Sequence, residues 1–451
     1  MSTIRRLQRV RRPLSAAVRL VLGLAVLVSI GTLLLMAPGV GRTRPLTLPE
    51  AMFTATSALT VTGLATIVPA TDLSLLGQVL LMIEVQVGGV GFMVVAVIVL
   101  AALGRRIEFI DRLALRDSLG LLSPRAILSL TRRVVVGVLV VELAGAILLW
   151  LNWRRTMPEG TAFIAGLFHS VTGFCNAGFE LFSGRPGFPD GMPNDGPTVL
   201  TMSALIILGG LGIPVWGDLL SWPRRRTVSL HTRVTLLLVA ILLLGGATLF
   251  WVVEGSSGIL KAEPWWRQAL LSFYQSTSAR TAGFMAVSTF ADLRPASQIL
   301  MIALMFVGSA PASMGGGITT GTLAVLALSV LGYARGQVTP TVFGRRLAAR
   351  SVPRAAAVVS ISLAVVATAT WLLLVVSPAA VLEEALFEVV SAFATTGLSL
   401  NYTSRMNWAG QLVIMFVMFW GRLGALTIIV ALTRQRPTPA VTYPEEPMLI
   451  G

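Results

Sequence analysis

Long apolar stretches separated by short polar connections dominate this 451-residue chain. Each is long enough, or nearly so, to cross a hydrocarbon core of about 30 Å, which takes about 20 helical residues. The stretches are Leu14–Met36, Leu73–Leu103, Val134–Leu151, Val199–Leu220, Val234–Val253, Ile299–Leu331, Ala355–Val376 and Leu412–Leu432. The sequence lacks the alternation of membrane β-barrel strands. The pattern therefore predicts an all-α membrane protein with eight spanning helices.

Composition and charge agree with this prediction. Hydrophobic residues make up 55% of the chain and charged residues 12%, against roughly 25% charged in soluble domains. Arginines cluster in alternate connections, at Arg105–Arg133, Arg224–Arg233 and Arg335–Arg354. Basic loops stay in the cytoplasm, so both termini are expected there and the protein in the cell membrane. The net charge of +15 follows these loops, which argues against a nucleic-acid partner. The single cysteine, Cys175, excludes an intrachain disulfide.

Four segments of similar form lie in the outward connections. They read FTATSALTVTGL, FHSVTGFCNAGF, FYQSTSARTAGF and FEVVSAFATTGL, with a phenylalanine ten residues before the glycine and a hydroxyl six before it. The glycines are Gly63, Gly178, Gly283 and Gly397. This spacing predicts four repeats of outer helix, pore loop and inner helix around a central pore. The predicted boundaries are 14–104, 105–221, 222–332 and 333–433, with cytoplasmic tails at 1–13 and 434–451.

The four segments are too short to span and too polar to stay helical. Non-helical backbone survives at membrane depth only where protein or water shelters it, which predicts a shared aqueous axis. Glycine allows left-handed backbone angles, so carbonyl groups can turn toward that axis and replace the hydration shell of a cation. The predicted ion-binding residues, acting mainly through backbone carbonyls, are Thr60, Val61, Thr62 and Gly63; Cys175, Asn176, Ala177 and Gly178; Arg280, Thr281, Ala282 and Gly283; Ala394, Thr395, Thr396 and Gly397.

The inner helices carry a further repeated string, beginning at Gly88, Gly209, Gly308 and Gly421. These small residues are expected to allow close helix packing. Arg422 occupies the second position of the fourth string. An arginine at membrane depth is costly unless it faces protein or water. It is interpreted as a charge barrier beneath the filter, or alternatively as an ion-pair partner of Glu84 or Glu142. Arg280 is expected to point away from the axis, toward outer acids or filter carbonyls.

Only the third inner helix is expected to break, within Ser309–Gly321. Proline and three successive glycines destabilise a helix here. The predicted gating residues are Arg422 together with Ser309, Pro311, Ser313, Gly315, Gly316, Gly317 and Thr319. The segment is expected to lie below the filter and to close the pore.

With these motifs, the chain resembles the Trk/Ktr/HKT superfamily of potassium transporters, and most of all the KtrB-type membrane subunit of Ktr uptake systems. The matching strings are TSALTVTGL, CNAGF, SARTAGF, TTGL, VGGVGF, LGGLGIP, GRLGALT and YPEEPMLIG. The resemblance implies gated potassium uptake, a homodimer with Gly451 at the subunit contact, and a cytosolic KtrA-type ring that binds adenine nucleotides. Potassium is the expected ion, with no organic cofactor on this chain. Gly63 fits the potassium-conducting members. Thr319 replaces the family's lysine, so closure is expected to rest on bulk and polar contacts.

Three other functions have different degrees of support in the sequence. A sodium- or mixed-cation-conducting member of the same superfamily remains an alternative. A coupled secondary transporter usually shows two inverted halves, whereas the four units here have the same sense. An enzyme is disfavoured because the spans carry no spaced acid pair, histidine cluster or nucleophile–base set.

Overall fold

The computed structural model describes residues 16–91, 124–189, 191–285, 287, 290–336, 341–348 and 351–424. The predicted tails, including Gly451, and much of the first basic connection lie outside the described residues. The helices in chain order are α1 (Ala16–Leu35), α2 (Leu48–Leu59), α3 (Pro69–Asp72), α4 (Leu75–Gln86), α5 (Pro124–Trp153), α6 (Glu159–Cys175), α7 (Gly196–Gly210), α8 (Ile213–Arg225), α9 (Leu230–Ser257), α10 (Trp265–Ala279), α11 (Pro295–Phe306), α12 (Thr320–Ala334), α13 (Ser351–Val376), α14 (Leu382–Phe393) and α15 (Trp408–Leu423). A π-helical turn, Val87–Gly91, continues α4.

Four long helices, α1, α5, α9 and α13, are the outer helices of the predicted repeats. Their apolar windows bury only 22–28% of their residues within the protein. Such helices expose apolar side chains to their surroundings, as expected in lipid. Within the described residues these four are long and apolar enough to span a membrane, and the bent pair α7–α8 would make a fifth. Helices α4, α11, α12 and α15 are apolar but shorter.

Four short helices, α2, α6, α10 and α14, carry the repeated segments. Their repeat phenylalanines Phe53, Phe168 and Phe387 are buried, and Phe273 is partly buried. These helices have 12 to 17 residues, fewer than the roughly 20 that a helix needs to cross the hydrocarbon core. The short helices thus form the interior of the fold.

Side-chain caps fix where the chain turns into the next helix. Ser74, Asp195 and Asn407 accept hydrogen bonds from the backbone N–H groups at the start of α4, α7 and α15, respectively. Such caps satisfy N–H groups that have no partner inside the helix. They recur in the first, second and fourth repeats, and so they start the inner helices at matching places.

The contacts between repeats run in one circular order. Each short helix packs on the outer helix of its own repeat. In addition, α4 contacts α6, α7 contacts α10, α11 contacts α14, and α15 contacts α2. The last contact joins the fourth repeat to the first, so the four short helices surround a common centre.

Two features differ from the predictions. A small antiparallel hairpin, β1 (Thr341–Val342) with β2 (Arg345–Arg346), interrupts the otherwise helical chain. The expectation that only the third inner helix breaks is wrong, because α7 and α8 meet at 99°. The bend lies at Gly212, which has φ of +81°, and Pro214 follows it in the first turn of α8. Both residues favour such a break, since glycine tolerates positive φ and proline starts a new helix.

Candidate functional site

Each short helix ends in a turn with the same backbone course, here called a glycine turn. In all four, the glycine has positive φ, at 93° in Gly63, 66° in Gly178, 78° in Gly283 and 97° in Gly397. The residue two positions earlier also has positive φ, although none is glycine: Val61, Asn176, Thr281 and Thr395. Positive φ costs a non-glycine residue about 1–3 kcal/mol, and such strain clusters at functional sites. Four distortions of the same kind, in segments more than 100 residues apart, therefore indicate a shared function.

The four glycine turns meet. Gly178 has two close neighbours from other turns. The position that a Cβ on Gly178 would occupy lies 3.2 Å from the Cα of Gly63 and 3.1 Å from the carbonyl oxygen of Ala282. A Cβ on Gly63 would collide with the carbonyl of Ala177. At the other two junctions, a Cβ on Gly283 would collide with the carbonyl of Thr396, and one on Gly397 with that of Thr62. The turns thus close a ring in which only glycine fits.

Backbone carbonyls line this ring. The N–H groups of Thr62, Ala177 and Thr396 donate at 2.8 Å to the carbonyls six residues before the ring glycines, on the short helices behind. Ala282 donates instead to Ser278, at 2.9 Å. The carbonyls of these same four residues face the glycine of a neighbouring turn. Carbonyl oxygens converging in this way are the ligands that suit hard cations such as potassium and sodium.

The repeat hydroxyls divide the turns into two pairs. Ser57 and Ser391 accept hydrogen bonds at 3.0 Å from the N–H groups of Gly63 and Gly397. Thr172 and Thr277 instead donate to carbonyls of their own helices. The repeat hydroxyl therefore ties the first and fourth turns to their helices, whereas in the second and third turns it bonds only within its own helix.

Several side chains of the glycine turns make hydrogen bonds to neighbouring groups of the protein. Thr60 donates at 2.7 Å to the carbonyl of Thr56, and the Cys175 thiol donates at 3.3 Å to Gln86. The side-chain amide of Asn176 lies 3.1 Å from the hydroxyl of Thr281. These bonds leave the backbone as the surface offered to an ion.

The predicted pairing of Arg280 with outer acids or filter carbonyls is wrong. Its Nη2 donates at 3.2 Å to the carbonyl of Gly308, just beyond the end of α11. Carbonyls at a helix end lack helical partners, and a buried guanidinium requires acceptors. The helix break therefore supplies a carbonyl acceptor for the guanidinium of Arg280. The position of Arg280 in the sequence does not predict this contact.

Inner-helix glycines pack directly against the ends of the short helices. A Cβ on Gly88, Gly209 or Gly421 would collide with the carbonyl of Leu59, Phe174 or Phe393, the residue four before the ring glycine in each case. This supports the packing interpretation. In the third repeat, the equivalent Gly308 instead meets the carbonyl of Gly316, from the break between α11 and α12.

Residues 307–319, here called the break segment, connect α11 to α12. Val307 and Ile318 form a parallel bridge, and the N–H of Thr320 donates to Ser309 at 3.1 Å, so the two ends are held together. Ala312 and Gly317 have positive φ. The segment is therefore a compact loop. The helix breaks within the predicted range Ser309–Gly321, but the last two residues of that range already belong to α12. Thr319 stands at the start of α12, with its hydroxyl 3.2 Å from that of Thr322.

The break segment reaches all four repeats. In the second, the N–H groups of Ala310 and Met314 donate to the carbonyls of Gly210 and Gly209, at 3.1 and 3.3 Å. In the third, the hydroxyl of Ser309 lies 2.6 Å from that of Thr281. In the fourth, the N–H of Gly316 donates to Thr395 Oγ1 at 2.9 Å. In the first, Met314 Sδ lies 3.7 Å from where a Cβ on Gly89 would stand.

The other predicted gating residues also lie at close contacts. A Cβ on Gly315 would collide with the hydroxyls of Thr281 and Ser309, and the carbonyl of Pro311 would meet a Cβ on Gly212. Ser313 is buried, and its hydroxyl has no hydrogen-bond partner among the described residues. The break segment thus packs tightly against two glycine turns and the bend of α7–α8.

Arg422 joins the break segment to the first repeat. Its guanidinium donates to the carbonyl of Met314, to that of Gly88 at 2.5 Å and to that of Gly89 at 3.3 Å. Glu84 and Glu142 are the two acids that the sequence suggests as ion-pair partners of Arg422. The carboxylate of Glu142 accepts a hydrogen bond from the side-chain amide of Gln86 at 3.0 Å. The carboxylate of Glu84 has no hydrogen-bond partner within the described part of the chain. The carbonyl contacts make Arg422 a tether of the break segment.

Comparison with known proteins identifies the family. The TrkH family of cation transport proteins matches residues 19–442. The Ktr system potassium uptake protein B of Vibrio alginolyticus is 35% identical over 417 residues, covering 90% of this chain and 89% of the relative. The potassium/sodium uptake protein NtpJ of Enterococcus hirae is 32% identical over 453 residues, covering 98% and 99%.

A solved structure shares the fold. The potassium transporter TrkH from Vibrio parahaemolyticus matches with a TM-score of 0.73 at 20% identity, over 95% of this chain and 87% of that one. The long apolar outer helices and the family match together make this chain a membrane protein. The chain belongs to the TrkH family of cation transport proteins.

Proposed function

We propose that the protein takes up potassium across the cell membrane through a gated, channel-like pore, as the translocating subunit of a Ktr/Trk-type system. One observation carries this proposal: four strained glycine turns from separate parts of the chain meet in one ring of carbonyls. Carbonyl rings of this kind replace a cation's hydration shell. The sixteen residues of the glycine turns are the selectivity filter.

The break segment and Arg422 form the gate. The segment contacts all four repeats next to the ring, so a cation leaving the ring meets it. Its hydrogen bonds to Thr395, Gly209 and Gly210 can be exchanged for water when it moves. Arg422 holds the segment by the carbonyl of Met314 and adds a positive charge that opposes a passing cation.

The architecture proposed with this function has eight spans in four pseudo-symmetric repeats, at 14–104, 105–221, 222–332 and 333–433. Both termini are cytoplasmic. The circular order of helix contacts supports this arrangement. The functional assembly is a homodimer in which Gly451 lies at the subunit contact, bound to a cytosolic KtrA-type ring carrying adenine nucleotides. The relatives' naming as parts of a Ktr system supports a partner subunit.

A sodium- or mixed-cation transporter is the second candidate. The relative from Enterococcus hirae is named a potassium/sodium uptake protein. In addition, the strained position does not carry the same residue type in all four turns: it is Val61 in the first, Asn176 in the second, and threonine in the third and fourth, at Thr281 and Thr395. Unequal turns would define fewer equivalent ion sites than four identical chains.

Rubidium uptake into proteoliposomes separates the two candidates. Purified protein is reconstituted with an outward potassium gradient, and tracer uptake is measured with potassium or sodium as competitor. We expect potassium to suppress rubidium uptake and sodium to leave it nearly unchanged. Equal competition by both ions would favour the mixed-cation function, and uptake no greater than in protein-free vesicles would contradict both.

A further inference from the structure

A narrow cleft opens from the lipid-facing side of the protein toward the break segment. One wall is Gly137 and Val138 of α5, and the opposite wall is the bend of α7–α8 with Ile213 and Trp216. Residues 312–314 of the break segment close its inner end. The cleft is narrow and open at its entrance, and its lining is almost wholly apolar.

The entrance lies on the lipid-facing surface. On α8, Leu220 lines the cleft and is 58% exposed. On α5, Val136, Leu139 and Val140 are next in sequence to the lining residues and are 53–61% exposed. In a membrane protein these side chains face hydrocarbon. The inner end, by contrast, is buried, with Met314 at 4% exposure. The cleft therefore continues the established interface with lipid into the protein interior.

We propose that this cleft binds an acyl chain of a phospholipid from the surrounding bilayer, and that the chain packs against residues 312–314. An apolar cavity at membrane depth gains little from water, whereas an alkyl chain restores the dispersion contacts that an empty space lacks. Gly137 leaves the space for it, because no heavy atom lies within 4 Å of where its Cβ would stand.

Occupancy of the cleft supports the present position of the break segment. Ala312 accepts from the N–H of Ile213 at 2.9 Å, so the segment and the bend of α7–α8 form one continuous wall. A chain that fills the cleft stabilises that wall, and with it the closed gate. This effect on transport rests on the proposed function of the break segment, whereas binding of the acyl chain does not.

Photolabelling tests the binding directly. The full-length protein is reconstituted with a phosphatidylglycerol that carries a diazirine near the end of one acyl chain, irradiated, and mapped by peptide mass spectrometry. We expect adducts on residues 312–314, which are not on the lipid-facing surface. In Gly137→Trp the indole fills the cleft, and these adducts should be lost. Gly245→Trp, on the exposed face of α9 with equally open space, should retain them.

Adducts on Val136 and Leu139 without any on residues 312–314 would overturn the proposal. So would a cross-link from Gly137→Cys to a second copy of the chain, which would assign the entrance to a subunit contact. Rubidium flux is measured on the same two tryptophan variants. We expect flux to fall in Gly137→Trp, because the indole occupies the cleft permanently and stabilises the closed gate more than an exchanging acyl chain does, and to stay unchanged in Gly245→Trp. Loss of adducts with unchanged flux would overturn the link to gating while the acyl-chain site stands.

Discussion

The third inner helix and its three counterparts place different partners at the same repeat position. In the first, second and fourth repeats, Gly88, Gly209 and Gly421 lie against the carbonyl at the end of a short helix. In the third, Gly308 lies against Gly316 of the break segment. In three of the repeats, helix packing at this position thus holds the ring in place. In the third repeat, a loop held by a few hydrogen bonds replaces that packing. One fold can therefore combine a rigid ring with a movable closure.

Changing the ring should have the largest effect. Gly63→Ser would place a side chain against the carbonyl of Ala177, displacing carbonyls that we propose to select the ion. We expect the preference for potassium over sodium to fall at least about tenfold, or ~1.4 kcal/mol. The measurement is rubidium uptake with each competing ion.

Gly39→Ser is the matched control for this change. Gly39 also has positive φ, at 85°, but no heavy atom lies within 4 Å of where its Cβ would stand. Backbone strain is therefore similar in both variants, and only Gly63→Ser disturbs the ring. An unchanged ion preference in a folded, inserted Gly63→Ser protein would contradict the filter assignment.

Releasing the tether should raise flux. Arg422→Ala removes the hydrogen bonds to Met314, Gly88 and Gly89 together with the charge. Since a hydrogen bond from a charged group contributes about 1.5–3 kcal/mol, loss of even one of them should raise potassium flux at least about tenfold. Arg422→Lys keeps the charge but reaches fewer carbonyls, so its flux should be intermediate. Loss of membrane insertion in place of increased flux would favour a purely structural role.

A single hydrogen bond between the ring and the break segment should have a smaller effect. Thr395→Val removes the acceptor for the N–H of Gly316 at nearly constant volume. A bond of this kind contributes about 0.5–1.5 kcal/mol, so flux should rise about two- to tenfold. Thr396→Val is the control, because the Thr396 hydroxyl has no hydrogen-bond partner among the described residues. Equal flux in both variants would show that the bond does not hold the segment.

The smallest effect is expected at the start of α2, outside the spans. A bidentate contact from Arg44 lowers the pKa of Glu50 from 4.5 to about 2. A lowered carboxyl pKa stabilises the fold above pH 4.5, and this contribution is lost as pH falls toward 2. Glu50→Gln should therefore lower the melting temperature slightly at neutral pH, with a difference that narrows in acid. A difference independent of pH would contradict the assignment, and high salt should reduce it.

The sequence was sufficient to predict the glycine turns, because their glycines and phenylalanines recur at fixed spacing. It did not predict the positive φ of Val61, Asn176, Thr281 and Thr395. Nothing in these residue types requires it, and closure of the ring imposes it. The bend at Gly212 was not predicted, although the glycines at 209, 210 and 212 and Pro214 favour one. The same string also suits close helix packing, and packing alone predicts no bend.

Arg280 illustrates a different limit. The repeat places Arg280 within a glycine turn, but its hydrogen-bond acceptor is the carbonyl of Gly308, 28 residues later. A long side chain chooses among all buried acceptors within reach, and only the folded arrangement of α11 determines which carbonyl is free. Contacts of this kind follow from tertiary packing and cannot be inferred from local spacing.

Potassium flux through a variant lacking residues 312–317 tests the central claim most directly. If the glycine ring selects the ion and the break segment closes the path, the deletion should raise flux and weaken its dependence on the nucleotide-binding partner, while potassium remains preferred over sodium. Flux as low and as nucleotide-dependent as in the parent, in a protein that is folded and inserted, would contradict the account.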